Sequence, residues 1–414
     1  MGTDREVVII GAGVGGLAAA NALYRTGWRV TVLERADALR PIGAGIAVPP
    51  NAMYALDAVD ADGMTLGARV RAVGDASGGA IGARRPDGRW IFRPSGDPVG
   101  RRFGYPVYSL VRTELLATFA VQLPADTIRF QTEALTIDPG SADRPARVET
   151  AGGRAYEADL VVAADGGRSA ARRVLFPDHP DPADGGYTIW WMLAPGLDDG
   201  EEVIASEAMG KGAVWGTWPL NDGRIYAYAT VLKRIRDGVE NGERASERAG
   251  VGDPLSELRV YFSDWYPQIR RILDAVDPAS VYRDDARWMR TPLPAYHVGR
   301  VALLGDAAHP MTPDLGQGGS QSIEDAVVLA RLLAEVGSGP LSGALAAYTA
   351  ARLPRTMGMV KRSKRMATFH HASTPLGMAL RDQALKLSSS ERTVGLAPAH
   401  LRSRVRLEAL TTVG

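Results

Sequence analysis

The segment Val7-Val8-Ile9-Ile10-Gly11-Ala12-Gly13-Val14-Gly15-Gly16-Leu17 organises the reading of the whole chain. Its first four residues are β-branched and wholly apolar, as a parallel strand buried on both faces should be. From Leu17 to Arg25 the composition is helical, and Gly27 suits a helix stop. Arg29 to Leu33 then reads as a second strand, with Glu34 at its end. Strand, glycine turn, helix and strand in that order predict a β-α-β unit. Within it Gly11 permits the tight turn, Gly13 lets the backbone approach a pyrophosphate, and Gly16 lets the helix pack closely on the strand. The helix amino terminus offers unpaired N–H groups and a partial positive charge to phosphates. A carboxylate at Glu34 can accept both ribose hydroxyls of an adenosine. That favours NAD or FAD over NADPH without choosing between the first two. The plainer alternative is a fortuitous glycine-rich turn, and the ordered context argues against it.

The chain has 414 residues, 45% of them hydrophobic, which allows a large core and more than one domain. Charged residues make up 23% and the formal net charge is +1, so the basic excess of a nucleic-acid binder is missing. There is no cysteine, which excludes disulfides, thiolate metal sites, iron–sulfur ligation and a redox CxxC pair. The six histidines are scattered apart from His370-His371, and none stands with another at helical metal-ligand spacing, so no metal is expected. Acidic residues at Asp4 and Glu6 argue against a signal peptide, and Glu6 breaks a myristoylation pattern. Val7 to Leu23 is apolar but carries four glycines and Asn21. No other run approaches the ~20 apolar residues of a membrane span. The expectation is a soluble, cytoplasmic protein with no membrane partner.

Farther along, residues 80–92 read as a hairpin turning at Pro86-Asp87-Gly88, and Arg112 to Gln122 as a helix. A second hairpin turns at Gly152-Gly153, and its second arm runs toward the buried strand Leu160 to Ala164, which ends at Asp165-Gly166. From about 178 to 285 the texture changes. Aromatic and β-branched residues gather in Tyr187 to Leu193, Val214 to Trp218 and Ile225 to Leu232, the pattern of an antiparallel sheet. Arg236 to Gly252 is charged and glycine-rich and reads as a solvated loop, and a helix follows from Pro254 to Phe262. Val301 to Leu304 returns to the buried-strand pattern, with a helix from about Gln321 to Val336. The tail from about Leu353 to Leu387 is helical and basic, most simply a solvated face.

The strand Val301 to Leu304 delivers Gly305-Asp306-Ala307-Ala308-His309-Pro310-Met311-Thr312-Pro313-Asp314-Leu315-Gly316-Gln317-Gly318-Gly319. Ligands sit at the carboxyl ends of strands in open α/β sheets. Three glycines before a helix suit the close approach of a flat ring, and a helix amino terminus stabilises negative charge on it. Taken alone, Asp306 could be a helix cap, Asp165-Gly166 a simple turn and Arg112 a surface arginine. His309 reads as a packed or exposed turn histidine rather than a base.

Together these segments resemble the single-component FAD-dependent aromatic hydroxylases related to p-hydroxybenzoate hydroxylase, of the shorter salicylate, urate and alkylquinolone hydroxylase type. Three motifs carry the resemblance: Gly11-x-Gly13-x-x-Gly16, Asp165-Gly166 within Ala163 to Ser169, and Gly305-Asp306 with its glycine-rich continuation. Arg40-Pro41-Ile42-Gly43-Ala44-Gly45-Ile46 with Pro50-Asn51-Ala52 resembles the family's loop beside the flavin, and Val111-Arg112-Thr113-Glu114-Leu115 its helix with a cofactor-facing arginine. The resemblance implies a Rossmann-like, glutathione-reductase-like FAD domain (1–75, 100–178, 286–352), an embedded antiparallel-sheet substrate domain (76–99, 179–285) and a C-terminal helical segment (353–414). It implies that Gly11, Gly13 and Gly16 hold the pyrophosphate with Gly15 also at the cofactor, that Glu34 holds the ribose, and that Arg35 lies beside the adenine. Leu315, Gly316, Gly318 and Gly319 would line the isoalloxazine, and Gly45, Ala47 and Pro313 would also bind the cofactor. Arg112 would contact the phosphate–ribityl region and Asp306 a ribityl hydroxyl. Asp165 and Gly166 would support FAD and a passing nicotinamide cofactor.

The reaction implied is hydride transfer from NADH or NADPH to FAD, addition of O2 at flavin C4a, and attack of an electron-rich ring on the distal oxygen of the hydroperoxide. Water must be excluded from such a site. No catalytic side chain is assigned. No second GxGxxG is present, so the nicotinamide cofactor would visit without a Rossmann domain of its own. Trp191, Trp215, Tyr226, Tyr228 and Pro313 are candidate substrate-lining residues, against ordinary aromatic core packing. Family members often carry Trp-Arg-Gly where this chain has Trp190-Trp191-Met192, and the missing arginine favours a larger, neutral, hydrophobic aromatic over a small anionic acid. A flavin-dependent halogenase, a non-redox FAD protein and a plain NAD dehydrogenase are the alternatives, and a monomer or homodimer is expected.

Overall fold

A computed structural model of the chain describes residues 5–39, 45–76, 81–93, 95–197, 202–237 and 253–388. The stretch Arg40 to Ala44 of the flavin-loop resemblance lies outside the described residues, as do most of the loop expected over 236–252 and the end of the tail.

The apolar run at the amino terminus forms strand β1 (Glu6–Ile10), followed by helix α1 (Val14–Arg25) and strand β2 (Arg29–Leu33). Val7 to Ile10 are almost wholly buried because β1 is an interior strand, paired in parallel with β2 on one side and with Leu160–Ala163 on the other. Ribbon strands β3 (Gly45–Val48) and β6 (Tyr108–Val111) pair antiparallel and lead into helix α2 (Arg112–Ala120). Strand β7 (Ile128–Arg129), β8 (Leu160–Ala163), β14 (His297–Val298) and β15 (Val301–Leu303) complete a six-stranded sheet of order β14-β15-β8-β1-β2-β7. In it β15, β8 and β1 are adjacent and parallel, so their carboxyl ends open on one edge. Helix α5 (Gly318–Val336) packs on α1, and buried Asn21 ties α1 to the carbonyl of Phe119 in α2 at 2.9 Å.

The aromatic segments form a separate seven-stranded sheet. Its strands are β4 (Gly82–Arg84), β5 (Trp90–Phe92), β9 (Ala183–Ala194), β10 (Ser206–Met209), β11 (Ala213–Pro219), β12 (Ile225–Leu232) and β13 (Tyr282–Trp288), in the order β13-β9-β12-β11-β10-β4-β5. Helices α3 (Pro254–Phe262) and α4 (Pro267–Ala275) cover one face. Trp190, Met192, Ala227 and Ala229 point to that face and form a core with Leu258, Phe262, Ile269 and Ile272. Burial of each large apolar side chain there contributes about 1.5–3 kcal/mol.

Two elements differ from the sequence reading. The second arm of the Gly152-Gly153 hairpin ends at Ala158, and Leu160 begins β8 in another sheet. Helix α6 runs from Leu341 to His370, straight through Pro354 and across the expected boundary at 352/353. Proline more often starts a helix than continues one, because it lacks an N–H and crowds the preceding turn. Helix α7 (Pro375–Ser388) follows after a short break.

Candidate active site

Three loops meet at the carboxyl edge of the parallel sheet. The first is the turn between β1 and α1. Gly11 takes φ +102°, and a Cβ there would stand 2.6 Å from the carbonyl oxygen of Ala164. A Cβ on Gly16 would lie 1.9 Å from the carbonyl oxygen of Gly11, and one on Gly15 would strike Leu304 and Ser322. These glycines let backbones touch. A Cβ on Gly13 would meet nothing within 4 Å, and no side chain caps α1. The first amides of the helix are therefore left for an anion. Gly15 faces α5 rather than this open space. Glu34 stands beside it, accepting the amide of Ala12 at 2.8 Å and that of Ala36 at 2.9 Å, while Arg35 is exposed.

The second loop follows β8. Gly166 has φ +82° with open space where a side chain would be. Oδ2 of Asp165 accepts the Ala171 amide at 3.1 Å, whereas Oδ1 is buried without a hydrogen-bond partner among the described residues. A buried acceptor left bare is costly, and a ligand donor would relieve it.

The third loop follows β15. Asp306 opens onto the same edge, but its surroundings are dense. Burial raises its carboxyl above the ordinary value, against the pull of His309, Arg112 and Arg172. Gly318, in the first turn of α5, would carry a Cβ 3.9 Å from Oδ1 of Asp306, and that of Gly319 would lie 3.0 Å from Ile46 of β3. The turn 313–316, with Gly316 at φ +60°, has an exposed Pro313 and a half-buried Leu315. Gly45 and Ala47 lie on β3, opposite Val111 and Ser109, so the ribbon sets Arg112 at the head of α2. No hydrogen bond or ion pair of the Arg112 guanidinium occurs among the described residues, although its charge reaches Asp306 and Tyr226. An open anion cradle, a bare carboxylate oxygen, an uncommitted guanidinium and a glycine-lined edge fit FAD.

Arg172 clasps the second loop to the third. It is buried, and it donates to the carbonyls of Gly167 at 2.8 Å, Ala307 at 2.9 Å and Asp306 at 3.3 Å. Beneath the third loop lies a buried charge network. Arg352 reaches Asp325 at 2.5 Å and Glu324 at 2.7 Å, Arg355 binds Glu324 at 2.6 Å, and Asn51 donates to Glu324 at 2.7 Å. His309 belongs here, fully buried and 2.6 Å from Asp325. It packs in the network and does not open onto the edge.

The seven-stranded sheet is antiparallel except where β4 pairs in parallel with β10, and its other face looks toward these loops. Trp191, Tyr226 and Tyr228 share it: Trp191 lies opposite Tyr228, and a Cβ on Gly45 would press on the Tyr226 ring. Trp215 does not share it. Its ring packs 5.2 Å from Phe262 in the helix-covered core, with its Nε1 donating to Thr217. Its place on the strand sets it on the opposite side, so Trp215 is not a substrate-lining residue. Sequence reasoning missed Tyr187, Glu207, Asp314 and His370, which gather on the loop-facing side.

This architecture and these loops are those of a flavoprotein with its dinucleotide on a Rossmann-type edge. The protein-family profile described as "FAD binding domain" matches residues 4–179 and 269–363. The aurachin C monooxygenase/isomerase of Stigmatella aurantiaca is 33% identical over 95% of this chain and 96% of its own. The FAD-dependent urate hydroxylase of Mycolicibacterium vanbaalenii is 30% identical over 89% of this chain and 90% of its own. Among solved structures, Klebsiella pneumoniae HpxO complexed with FAD and uric acid superposes with TM-score 0.81 at 25% identity, covering 96% of each chain. The chain belongs to the FAD-binding-domain family of aromatic hydroxylases and is a FAD-dependent monooxygenase of that type. No helix among the described residues is long and apolar enough to cross a membrane.

Proposed function

We propose that the enzyme uses NADH or NADPH and O2 to insert one oxygen atom into an aromatic or polycyclic, natural-product-like substrate of neutral character. The observation that carries this reading is the opposition of two surfaces. The glycine-lined edge bearing Asp165, Asp306 and Gly316 faces a sheet surface bearing Trp191, Tyr226 and Tyr228. In this reading a flat ring lies between them.

In this reading the amides beyond Gly13 hold the pyrophosphate, Glu34 holds the adenosine ribose and Arg112 neutralises phosphate charge. Asp306 fixes the ribityl chain, with Arg172 and the buried network keeping its loop in place. Asp165 offers its bare oxygen to the cofactor. Bound FAD supplies hydride acceptance, O2 activation and oxygen delivery. The protein orients the ring, excludes water with its aromatic wall, and keeps charge out of solvent.

The test is NADH and NADPH oxidation by the FAD-loaded protein against a panel of phenols, quinolones and polycyclic aromatics, with product masses. Ring-stimulated oxidation and a product heavier by one oxygen atom are expected. Oxidation indifferent to every ring, with FAD bound, would overturn the reading.

A further inference from the structure

One row across the antiparallel sheet runs Tyr282–Trp191–Tyr228–Gly216–Glu207, each residue directly opposite the next. Directly opposed residues share a face, so the row looks toward the flavin-side loops. Gly216 makes the row work. A Cβ there would lie 2.1 Å from the ring of Tyr228, so that ring lies across the glycine and its hydroxyl donates to Glu207. Beyond Glu207 stands His370, the last residue of α6, with Nε2 4.0 Å from the Glu207 carboxylate. Its Nδ1 is 3.6 Å from Asp314 of the turn before α5, and the hydroxyl of Tyr187 donates to the other oxygen of Asp314.

The groups therefore form a continuous chain, Tyr228–Glu207–His370–Asp314–Tyr187, with the three central side chains only 5–14% exposed. Burial opposes a charge on His370, but Glu207 and Asp314 outweigh it and raise the imidazole above its ordinary value. Burial likewise opposes ionisation of Asp314, yet His370 and Tyr187 hold it below the usual range. Two acidic side chains face one imidazole here, so the acids of the cluster outnumber its base. Arg381, which bears on His370, directs its donors to the carbonyls of Met209, Gly210 and His370 and to Asp382. The charge of Arg112 reaches Tyr226, in the neighbouring row. Both tyrosine hydrogens are committed to carboxylates. Those two hydroxyls, like the carboxylate oxygens, therefore offer a ligand lone pairs, which only accept hydrogen bonds.

We infer that this chain of groups is the substrate-recognition wall, and that it selects an uncharged ring bearing N–H or O–H donors while rejecting aromatic carboxylates. The inference rests on the monooxygenase reading above and adds the chemistry by which the ring is chosen. A carboxylate entering a site with little water meets like charge, which is specificity by repulsion. A donor-bearing ring satisfies acceptors that an N-methylated ring leaves bare.

The test is binding, independent of turnover. The FAD-loaded full chain is titrated with 4-quinolone, N-methyl-4-quinolone and quinoline-4-carboxylate, and flavin difference spectra give each Kd. The same titrations are run on Glu207→Gln, which keeps the shape and removes one charge. Expected are 4-quinolone binding at least about tenfold tighter than its N-methyl form, and quinoline-4-carboxylate gaining about tenfold in the variant. Three results overturn the inference: carboxylate binding to the wild type as tight as 4-quinolone, carboxylate affinity unmoved by Glu207→Gln, or silence from all three rings in both proteins. Failure of the monooxygenase reading shows separately, as rings that bind without stimulating oxidation.

Discussion

Gly13 and Gly16 belong to one motif, but alanine at the two positions should do opposite things. Gly13 has φ −75° and ψ −177°, an extended backbone that alanine adopts without strain, and a methyl there meets nothing within 4 Å. Gly13→Ala should leave the stability of the FAD-free protein within about 0.5 kcal/mol of wild type. Its methyl, however, would stand in the space proposed for the pyrophosphate, so FAD affinity should fall by at least about tenfold, roughly 1.4 kcal/mol. At Gly16 the methyl would be 1.9 Å from the Gly11 carbonyl oxygen, short of an ordinary contact by about 1.5 Å, and the obstacle is backbone. Helix α1 would have to lift from β1, so Gly16→Ala should cost about 1–3 kcal/mol or more before any cofactor is added. Thermal melts of the FAD-free proteins and fluorescence titrations with FAD separate the two effects. The reasoning is refuted if Gly13→Ala binds FAD as wild type does, or if Gly13→Ala melts well below Gly16→Ala.

Other expectations follow from the same geometry. Arg352→Met strands the buried carboxylates of Glu324 and Asp325, so unfolding free energy should drop by about 3–5 kcal/mol. An unchanged melting temperature would contradict this. The Asp325 carboxyl is held down to about 2: burial opposes ionisation, but the charges of His309 and Arg352 outweigh it. A depressed folded value gives stability that is present above the unfolded value of 3.8 and lost as pH falls toward the folded one. The stability gap between wild type and Asp325→Asn should therefore narrow by about 2 kcal/mol between roughly pH 5 and pH 2, and a constant gap in acid-denaturation series would exclude the pairing. Gly216→Ala should push the Tyr228 ring off Glu207, raising KM for the ring substrate several-fold while FAD affinity holds. A change in FAD affinity alone would point elsewhere.

The parts of the fold legible in the sequence are those written in short-range spacing. The β1–α1–β2 unit, the strand before Asp165 and the strand before Asp306 each carry their apolar run and their punctuation within about a dozen residues, which is the range over which periodicity and turn chemistry act. The faces of the aromatic strands were not legible. Trp191 and Trp215 sit in similar aromatic surroundings, and only the pairing register decides that one looks inward to the loops and the other outward to Phe262. Glu207, Asp314 and His370 come from three distant segments and carry no local mark of their meeting. The buried network did leave a trace, since Glu324-Asp325 interrupts an apolar helix, and adjacent acids in such a run ask for a buried partner. Helix α6 begins twelve residues before the expected Leu353, and the buried Leu345, Tyr348 and Arg352 show that packing carries it through Pro354.

Helix α6 places Arg352 under the cofactor loops and His370 against the sheet, on one rod about 27 Å apart along its axis. This has a consequence for recombination and for evolution. If the proposed wall holds the ring, its strands cannot be exchanged among relatives as a self-contained module, because one corner of it comes from α6. A chimera that swaps the sheet but keeps a foreign carboxyl-terminal helix would meet the wrong side chain where Glu207 expects His370. Selectivity in such hybrids should follow the helix as much as the strands.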